Sequence, residues 1–475
     1  MEKRRSFGAG LRALGLAFLL STTAIATSQA QSLDEALIHA YETNPRLLAA
    51  RAQLRAVDEQ VSQAYARYRP NVFIDGTAEG RTVDSSTGSF QIWTNAIGLN
   101  LRQNLYEGGR TVAGIRSAVQ QVGQQRAVLT SIEQEIFLNT VRAYTDVVAS
   151  RRVVELAGTN QERLERQLQA TRDRFEVGEV TRTDVAQAEA RVAGSIADRI
   201  RAEGNFQQAI ANFEAVVGLR PTNLTSDEVT IQPPPSLTTA QSRAENNPAL
   251  IAAEFAFEAA QADVRVAQGA LLPTLDLDAG LRYVDNPSRV LNYQTDARIG
   301  AVLTIPLYQG GAEYSRVRQS RQIVDQRRRE FDATRRDVIE LTTAAWEGLQ
   351  TATAQTRALE QQVRANTLAL EGVQTEAQVG ARTVLDVLDA EQELFQSEVD
   401  LVNARANRVV ALYTLQSAIG ELTAEALGLT VDRYDPSVHY QTVRTQAFGT
   451  EAGTNRTVFQ DIDFREEWGL RRPPE

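Results

Sequence analysis

The feature that most constrains this chain is that its sequence is written twice. Val177-Gly178, Thr181, Asp184-Val185 and Ala188-Glu189 return as Val379-Gly380, Thr383, Asp386-Val387 and Ala390-Glu391, 202 residues later. Asn44-Pro45 returns as Asn247-Pro248, Leu105-Tyr106 as Leu307-Tyr308, Gly108-Gly109 as Gly310-Gly311, and Ala143-Tyr144 as Ala345-Trp346. The offset holds at 202 or 203 residues throughout. A register kept over such a distance marks a duplicated structural unit, so any fold proposed for one half must serve the other. Repeat one is read over 31–231 and repeat two over 232–430.

Proline placement gives the skeleton of each unit. No Pro lies between Pro70 and Pro221, nor between Pro306 and Pro436. Proline in a helix interior costs ~3 kcal/mol, so long Pro-free runs rich in Ala, Gln, Glu and Arg predict long helices near 109–176 and 311–378. Each would extend roughly 100 Å at about 1.5 Å per residue, a rod with no use in a lone globular domain. Return helices are predicted near 183–218 and 384–419. Their apolar and small residues alternate three and four apart, as in Ala188, Val192, Ser195, Ala202 and Ala209, and again in Ala390, Leu394, Ser397, Leu401 and Ala404. A sustained 3.5-residue period predicts supercoiled packing against neighbouring helices. One Arg interrupts each stripe, Arg199 and Arg408, and reads as a side chain snorkelling at the seam edge.

Between the helices the period changes to two. Leu275, Leu277, Ala279, Leu281 and Tyr283 alternate with Thr274, Asp276, Asp278, Gly280 and Arg282. Tyr293, Ala297, Ile299, Ala301, Leu303 and Ile305 alternate with Gln294, Asp296, Arg298, Gly300 and Thr304, and Trp93, Ile97, Leu99 and Leu101 with Thr94, Asn100 and Arg102. Strands are predicted near 71–81, 92–104, 273–283 and 293–306, with the turn-rich stretches 82–91 and 284–292 between them. One face is apolar with aromatic residues near an end (Trp93, Tyr283, Tyr293), and the other carries charges. That is the pattern of strands that present one side to lipid and the other to an aqueous lumen. Four strands cannot close a barrel, and an open sheet edge is not tolerated in lipid, so the chain is expected to oligomerise; three copies would supply twelve strands.

Composition excludes most chemistry. Among 475 residues there are no Cys and only two His, His39 and His439, and the formal net charge is −10. Disulfides and thiolate sites are absent, imidazole chemistry has little to work with, and both His read as structural. The acidic balance argues against nucleic acid as a partner. Residues 1–30 read as an export signal: Lys3, Arg4, Arg5 and Arg12, then an apolar run, then Ser28-Gln29-Ala30 before Gln31. No nucleophile–base pair, metal cluster or phosphate loop is found; Gly108-Gly109 and Gly310-Gly311 follow strands but lack a P-loop's spacing and Lys. The many Asp and Glu read as those of solvated helices. No enzyme activity, cofactor or metal is expected.

The doubled order of strand, strand, long helix and return helix, the Leu-Tyr-x-Gly-Gly strand exits at 105–109 and 307–311, and the doubled Val-Gly-x-x-Thr-x-x-Asp-Val turns together resemble TolC-type outer-membrane channel-tunnel proteins. The resemblance covers about 32–430. It implies a mainly α homotrimer with a small transmembrane part: a twelve-stranded β-barrel in the outer membrane of a Gram-negative bacterium, continued by a long α-helical barrel through the periplasm. It implies passive export, of proteins by type I secretion or of small toxic compounds, with a periplasmic adaptor (membrane fusion) protein and an inner-membrane ABC or RND-type transporter as partners. The competing reading is a periplasmic coiled-coil adaptor or scaffold, which would carry one hairpin beside compact β domains.

The same resemblance assigns candidate residues. Gly178 and Gly380 are tip turns, where glycine adopts conformations other residues avoid. Thr183 or Asp184 is expected to cap the first return helix and Thr383 the second. Arg382 matches the family's latch arginine, with Asp184 and Thr183 as its partners on the neighbouring return helix; Ala377 stands at the family's latch tyrosine. Asp386 and Asp389 match the family's entrance carboxylates. Three apart on a helix, they share a face, and six of them in a trimer would attract cations. Gly108, Gly109, Gly310 and Gly311 mark the strand-to-helix exits. Residues 431–475 are expected to form an equatorial tail, disordered toward its end.

Overall fold

The computed structural model describes residues 31–225 and 231–453. Residues 1–30, read above as an export signal, residues 226–230 and the chain beyond 453 lie outside the described residues. Repeat one consists of α1 (Leu33–Thr43), α2 (Pro45–Ala66), β1 (Asn71–Ser85), β2 (Gly88–Glu107), α3 (Arg110–Glu176) and α4 (Arg182–Val217). Repeat two runs in the same order: α5 (Leu237–Ala244), α6 (Pro248–Gly269), β3 (Thr274–Ser288), β4 (Leu291–Thr304), α7 (Ala312–Gln378) and α8 (Val384–Ala418). A last helix, α9 (Pro436–Val443), belongs to the tail. Each long helix, α3 and α7, has 67 residues.

Each long helix folds back on its return helix as a hairpin, and the two hairpins meet where α3 packs against α8. In α4, Ala188, Ser195, Ala202 and Ala209 are buried at seven-residue spacing, and such small seam residues let helices approach closely. The upper half is completed by α2 against α3, and by α6 wedged between α3 and α7. The return helices do not reach this level. Instead α2 begins where α4 ends, and α6 where α8 ends.

Two asparagines make those joints. Asn44 Oδ1 accepts from the Arg46 N–H at 3.0 Å, capping α2, while its Nδ2 donates to Val216 O at 3.0 Å. Asn247 does the same for α6, accepting from the Ala249 N–H at 2.9 Å and donating to Ala418 O at 2.9 Å. One amide thus satisfies an orphan donor at one helix start and an orphan acceptor at another helix end. The following Pro45 and Pro248 occupy first-turn positions, where a missing N–H costs nothing.

The sheet is an antiparallel meander in the order β1-β2-β3-β4. Its register places Trp93, Ile97, Leu99, Tyr283, Leu281, Tyr293, Ile299 and Leu303 on one face, all of them exposed in the single chain. Tyr283 and Tyr293 stack across strands with ring centroids 6.3 Å apart. The other face is polar and cross-linked: Arg102 to Asp278 at 2.9 Å, Asn104 to Asp276 at 2.9 Å, and Asn100 to Asp75. The strands run further than the alternation indicated. The turn-rich stretches remain paired up to two-residue turns at Ser86-Thr87 and Arg289-Val290. At the other end β4 stops at Thr304, because Pro306 has no N–H for a ladder.

The largest core cluster lies at the middle of the molecule, around Leu37, Tyr41, Leu54, Phe137 and Phe213. The tail closes over it: Tyr434 N–H donates to Tyr41 Oη at 3.1 Å, and His439 Nδ1 meets the fully buried Asp58 carboxylate at 3.0 Å. Not every acidic group is therefore a solvated one. Asp58, Glu133 and Glu391 are withdrawn from water, and burial pushes each carboxyl above its ordinary value. No helix among the described residues is long and apolar enough to cross a membrane, so only the sheet offers a lipid-type face.

Candidate functional site

The candidate site is the free end of the two hairpins. Both turns are built alike. After α3, Gly178 takes φ +80°, its N–H bonds Phe175 O at 3.0 Å, and the Glu179 N–H bonds Arg174 O at 2.9 Å. After α7, Gly380 takes φ +77°, with Gly380 N–H to Ala377 O at 3.3 Å and Ala381 N–H to Glu376 O at 2.9 Å. Open space surrounds both glycines, so the left-handed backbone, not crowding, is what requires them.

The return helices then start with reciprocal caps. Asp386 N–H donates to Thr383 Oγ1 at 3.2 Å, while Asp386 Oδ2 accepts from Thr383 N–H at 2.9 Å and from its hydroxyl at 2.8 Å. In repeat one the cap is Thr181, not Thr183 or Asp184: Asp184 Oδ2 accepts from Thr181 N–H at 2.7 Å and from its hydroxyl at 2.8 Å. Thr183 sits within the first turn of α4, exposed. The Thr-x-x-Asp spacing decides between the two threonines, since only a residue three ahead of the carboxylate closes the box.

Arg382 does not meet Asp184 or Thr183 within one chain; its Nε donates to Glu376 Oε2 at 2.8 Å, both side chains half-exposed. Asp386 is partly exposed and anionic, held below the usual carboxylate range first by the Thr383 N–H and then by the Thr383 hydroxyl. Asp389 is paired with Arg191 on α4, a partner that lies 198 residues away in sequence. The two carboxylates are therefore unequal: one is tied to its own helix start, the other is matched by a cation.

At the opposite ends of the long helices, Gly109 and Gly311 precede α3 and α7 with φ +78° and +81°, and Gly108 and Gly310 with +59° and +64°. Gly108 also faces close approach, since a Cβ there would stand 2.3 Å from Gly269 O.

A partly buried cluster above the tips, centred on the buried Glu391, carries no signal in a single sequence. Arg163 on α3 lies between Glu391 and Glu398 on α8, at 3.3 and 3.5 Å, and Gln374 on α7 donates to Glu391 at 3.0 Å. Among the described residues no group of His, Cys, Asp or Glu could hold a metal ion.

The family profile described as "Outer membrane efflux protein" matches 37–219 and again 239–421, the two repeats in turn. The chain is 36% identical to outer membrane efflux protein BepC of Brucella suis over 446 residues, which is 93% of this chain and 97% of that one. It is 28% identical to outer membrane protein TolC of Vibrio cholerae, over 83% of this chain and 92% of the relative. Among solved structures, the outer membrane protein VceC of Vibrio cholerae shares the fold with a TM-score of 0.72 at 21% identity, covering 82% of this chain and 96% of that one.

Proposed function

This chain belongs to the outer membrane efflux protein family, whose members are outer-membrane exit ducts reaching into the periplasm, and we propose that three copies close head to tail into one such duct. The observation that carries this reading is the sheet: four paired strands, one lipid-type face, one charged face, and the outer edges of β1 and β4 left open. Within the chain, β2 pairs with β3, α3 packs on α6, and α3 meets α8. The duplication supplies the same surfaces again at the chain's two flanks: β4 and α7 on one side, β1, α2 and α4 on the other. A head-to-tail contact of this kind closes into a ring, and twelve strands make a barrel that leaves no edge in lipid.

The duct conducts passively. Among the described residues no helix is long and apolar enough to cross a membrane, and the sequence offers no phosphate-loop spacing, so partners that prefer the open tip are taken to shift it open. A periplasmic adaptor and an inner-membrane ABC or RND-type transporter fit that role, delivering proteins, small toxic compounds or both. The duplicated hairpins leave the adaptor reading without support. At the mouth, Asp386 is the main source of cation preference, because Asp389 is offset by Arg191. Arg382 keeps its terminal nitrogens, and Asp184 its Oδ1, for a link across the seam between protomers.

Single-channel recording from detergent-purified protein in a planar bilayer tests this. A small cation-preferring conductance is expected, with most of the preference lost in Asp386→Asn and less in Asp389→Asn. A protein that inserts as a trimer yet passes no ions in any form would overturn the duct; equal currents of both ion signs in wild type would discard the acidic mouth.

A further inference from the structure

We propose that the helix ends just below the barrel form a basic collar that binds anionic phospholipid headgroups of the periplasmic leaflet, with Arg116, Arg318 and Arg321 as the headgroup ligands. The placement in the membrane rests on the duct reading. Eight Arg and one acidic residue, Glu313, fall in the stretches next to the sheet, 61–70, 110–121, 264–273 and 312–323, in a chain whose formal net charge is −10. Some of this charge is used internally: Glu107 reaches Arg67 at 3.6 Å and Arg110 at 3.3 Å, and Glu313 meets Arg316. Among the described residues Arg116, Arg318 and Arg321 have no ion-pair partner.

The duplication shows which way these three side chains face. α3 lies between its own α2 and α6; α7 lies against α6 and, in the ring, against the next protomer's α2. On α3, Thr111, Ala113, Ser117 and Ala118 are buried, while Val112, Arg116 and Val119 form an exposed stripe. Their counterparts 202 residues on are Tyr314, Arg318 and Arg321, exposed as well. On α3 the stripe runs on at three- and four-residue steps through Gly123 to Arg126, and there the tail covers it. Arg126 Nη2 donates to Pro436 O at 3.4 Å, and the guanidinium lies over the Tyr440 ring at 5.2 Å. The tail marks the outer face, because three tails on the inner face would fill the duct. All three arginines therefore look outward.

Their height fits headgroups. The lipid-type face ends in exposed Tyr106, Tyr308 and Tyr314, an aromatic belt of the kind that marks the edge of the hydrocarbon. Arg116 and Arg318 stand six residues after the starts of α3 and α7, and Arg321 nine, so roughly 9–14 Å along the helix axis. Both helices begin at the membrane, and helix side chains lean toward the N-terminus. Each guanidinium is thus carried back by about one turn toward the lipid. A guanidinium meets phosphate oxygens as a fork and keeps its charge. Basic clusters beside a membrane attract anionic lipid, and three such arginines per protomer encircle the trimer.

The test is native mass spectrometry of the detergent-purified trimer given phosphatidylglycerol and phosphatidylcholine in equal amounts. Wild type is expected to retain the anionic lipid several-fold over the neutral one, and Arg116→Gln/Arg318→Gln/Arg321→Gln to retain both about equally. Arg329→Gln, about 25 Å along α7 from its start, should behave as wild type. In nanodiscs, the wild-type trimer should dissociate at a higher temperature in phosphatidylglycerol than in phosphatidylcholine. About 1 M salt, where the Debye length is about 3 Å, should erase that difference. No preference in wild type, an unchanged preference in the triple variant, or a difference indifferent to salt overturns the collar. So does equal stabilisation by soluble glycerol phosphate in phosphatidylcholine nanodiscs, which would make this a free-phosphate site. Lipid retention is read without current, and conductance without a choice of lipid, so the collar and the duct fail separately.

Discussion

Asn247 Nδ2 donates to the carbonyl of Ala418 at 2.9 Å, across 171 residues of sequence, and both groups are buried. The bond joins the end of one helix to the start of another so that together they run alongside a third. Its twin, Asn44 to Val216, does so in the other repeat. Asn is needed because its amide both accepts and donates; a carboxylate keeps the cap and loses the donor.

Asn247→Asp is therefore expected to lower stability more than Asn247→Ser, which retains a hydroxyl able to cap. The charged variant faces the Ala418 carbonyl with no proton to offer, leaving that oxygen only the longer 3.4 Å bond from the Thr342 hydroxyl, a loss of about 1–3 kcal/mol. Thermal unfolding of the detergent-solubilised trimer measures it. Equal midpoints for Asp and wild type would remove the joint from the energetics.

At the tips, Thr181→Ala and Thr383→Ala should each cost about 1 kcal/mol, the usual value of a cap. Thr183→Ala should cost little. Hydrogen exchange would show the first turns of α4 and α8 opening faster in the cap variants only. Faster exchange in Thr183→Ala would return the cap to that residue.

The sheet makes a sided prediction. Ile299→Arg places a charge on the lipid face at a cost of about 2–4 kcal/mol near mid-membrane, and should lower the yield of heat-resistant trimer. Gly300→Ser, one position on and facing the lumen, should assemble normally. Equal yields would mean that the apolar face does not meet lipid.

Acid should tighten the closed channel. Glu391 faces Arg163, Arg166, Gln374 and Glu398, and its burial raises its pKa more than Arg163, Gln374 and Arg166 lower it, with Glu398 adding to the rise. An opened channel that wets Glu391 returns it toward the ordinary carboxylate value. The closed form thus binds the proton more tightly: its advantage grows as pH falls toward the raised value and is lost as pH rises through it. Resting current in wild type should decline from neutral to mildly acidic pH, and Glu391→Gln should flatten that decline. A current that rises with acid in wild type would reverse the assignment.

The architecture was legible because the duplication, the absent prolines and the change of period are all local or repeated signals. Helix partners are not. Nothing near Asp389 points to Arg191, and nothing near Glu391 points to Arg163, because each contact depends on how two hairpins dock. Thr-Arg-Thr-Asp at 181–184 offered two threonines, and only the repeat of the Thr-x-x-Asp box at 383–386 separates them. Strand ends were misplaced because residues that favour turns stayed in the ladder, which needs only two residues to reverse. Acidic residues in long polar helices look alike until packing takes a few of them out of water.

Those two-residue reversals have a consequence beyond the barrel. Ser86-Thr87 and Arg289-Val290 are the turns at the ends of the hairpins farthest from the helices. In the assembled duct they are, among the described residues, almost all that one protomer carries past the barrel on that side, so what those residues offer to a molecule approaching from outside is little more than three pairs of short turns.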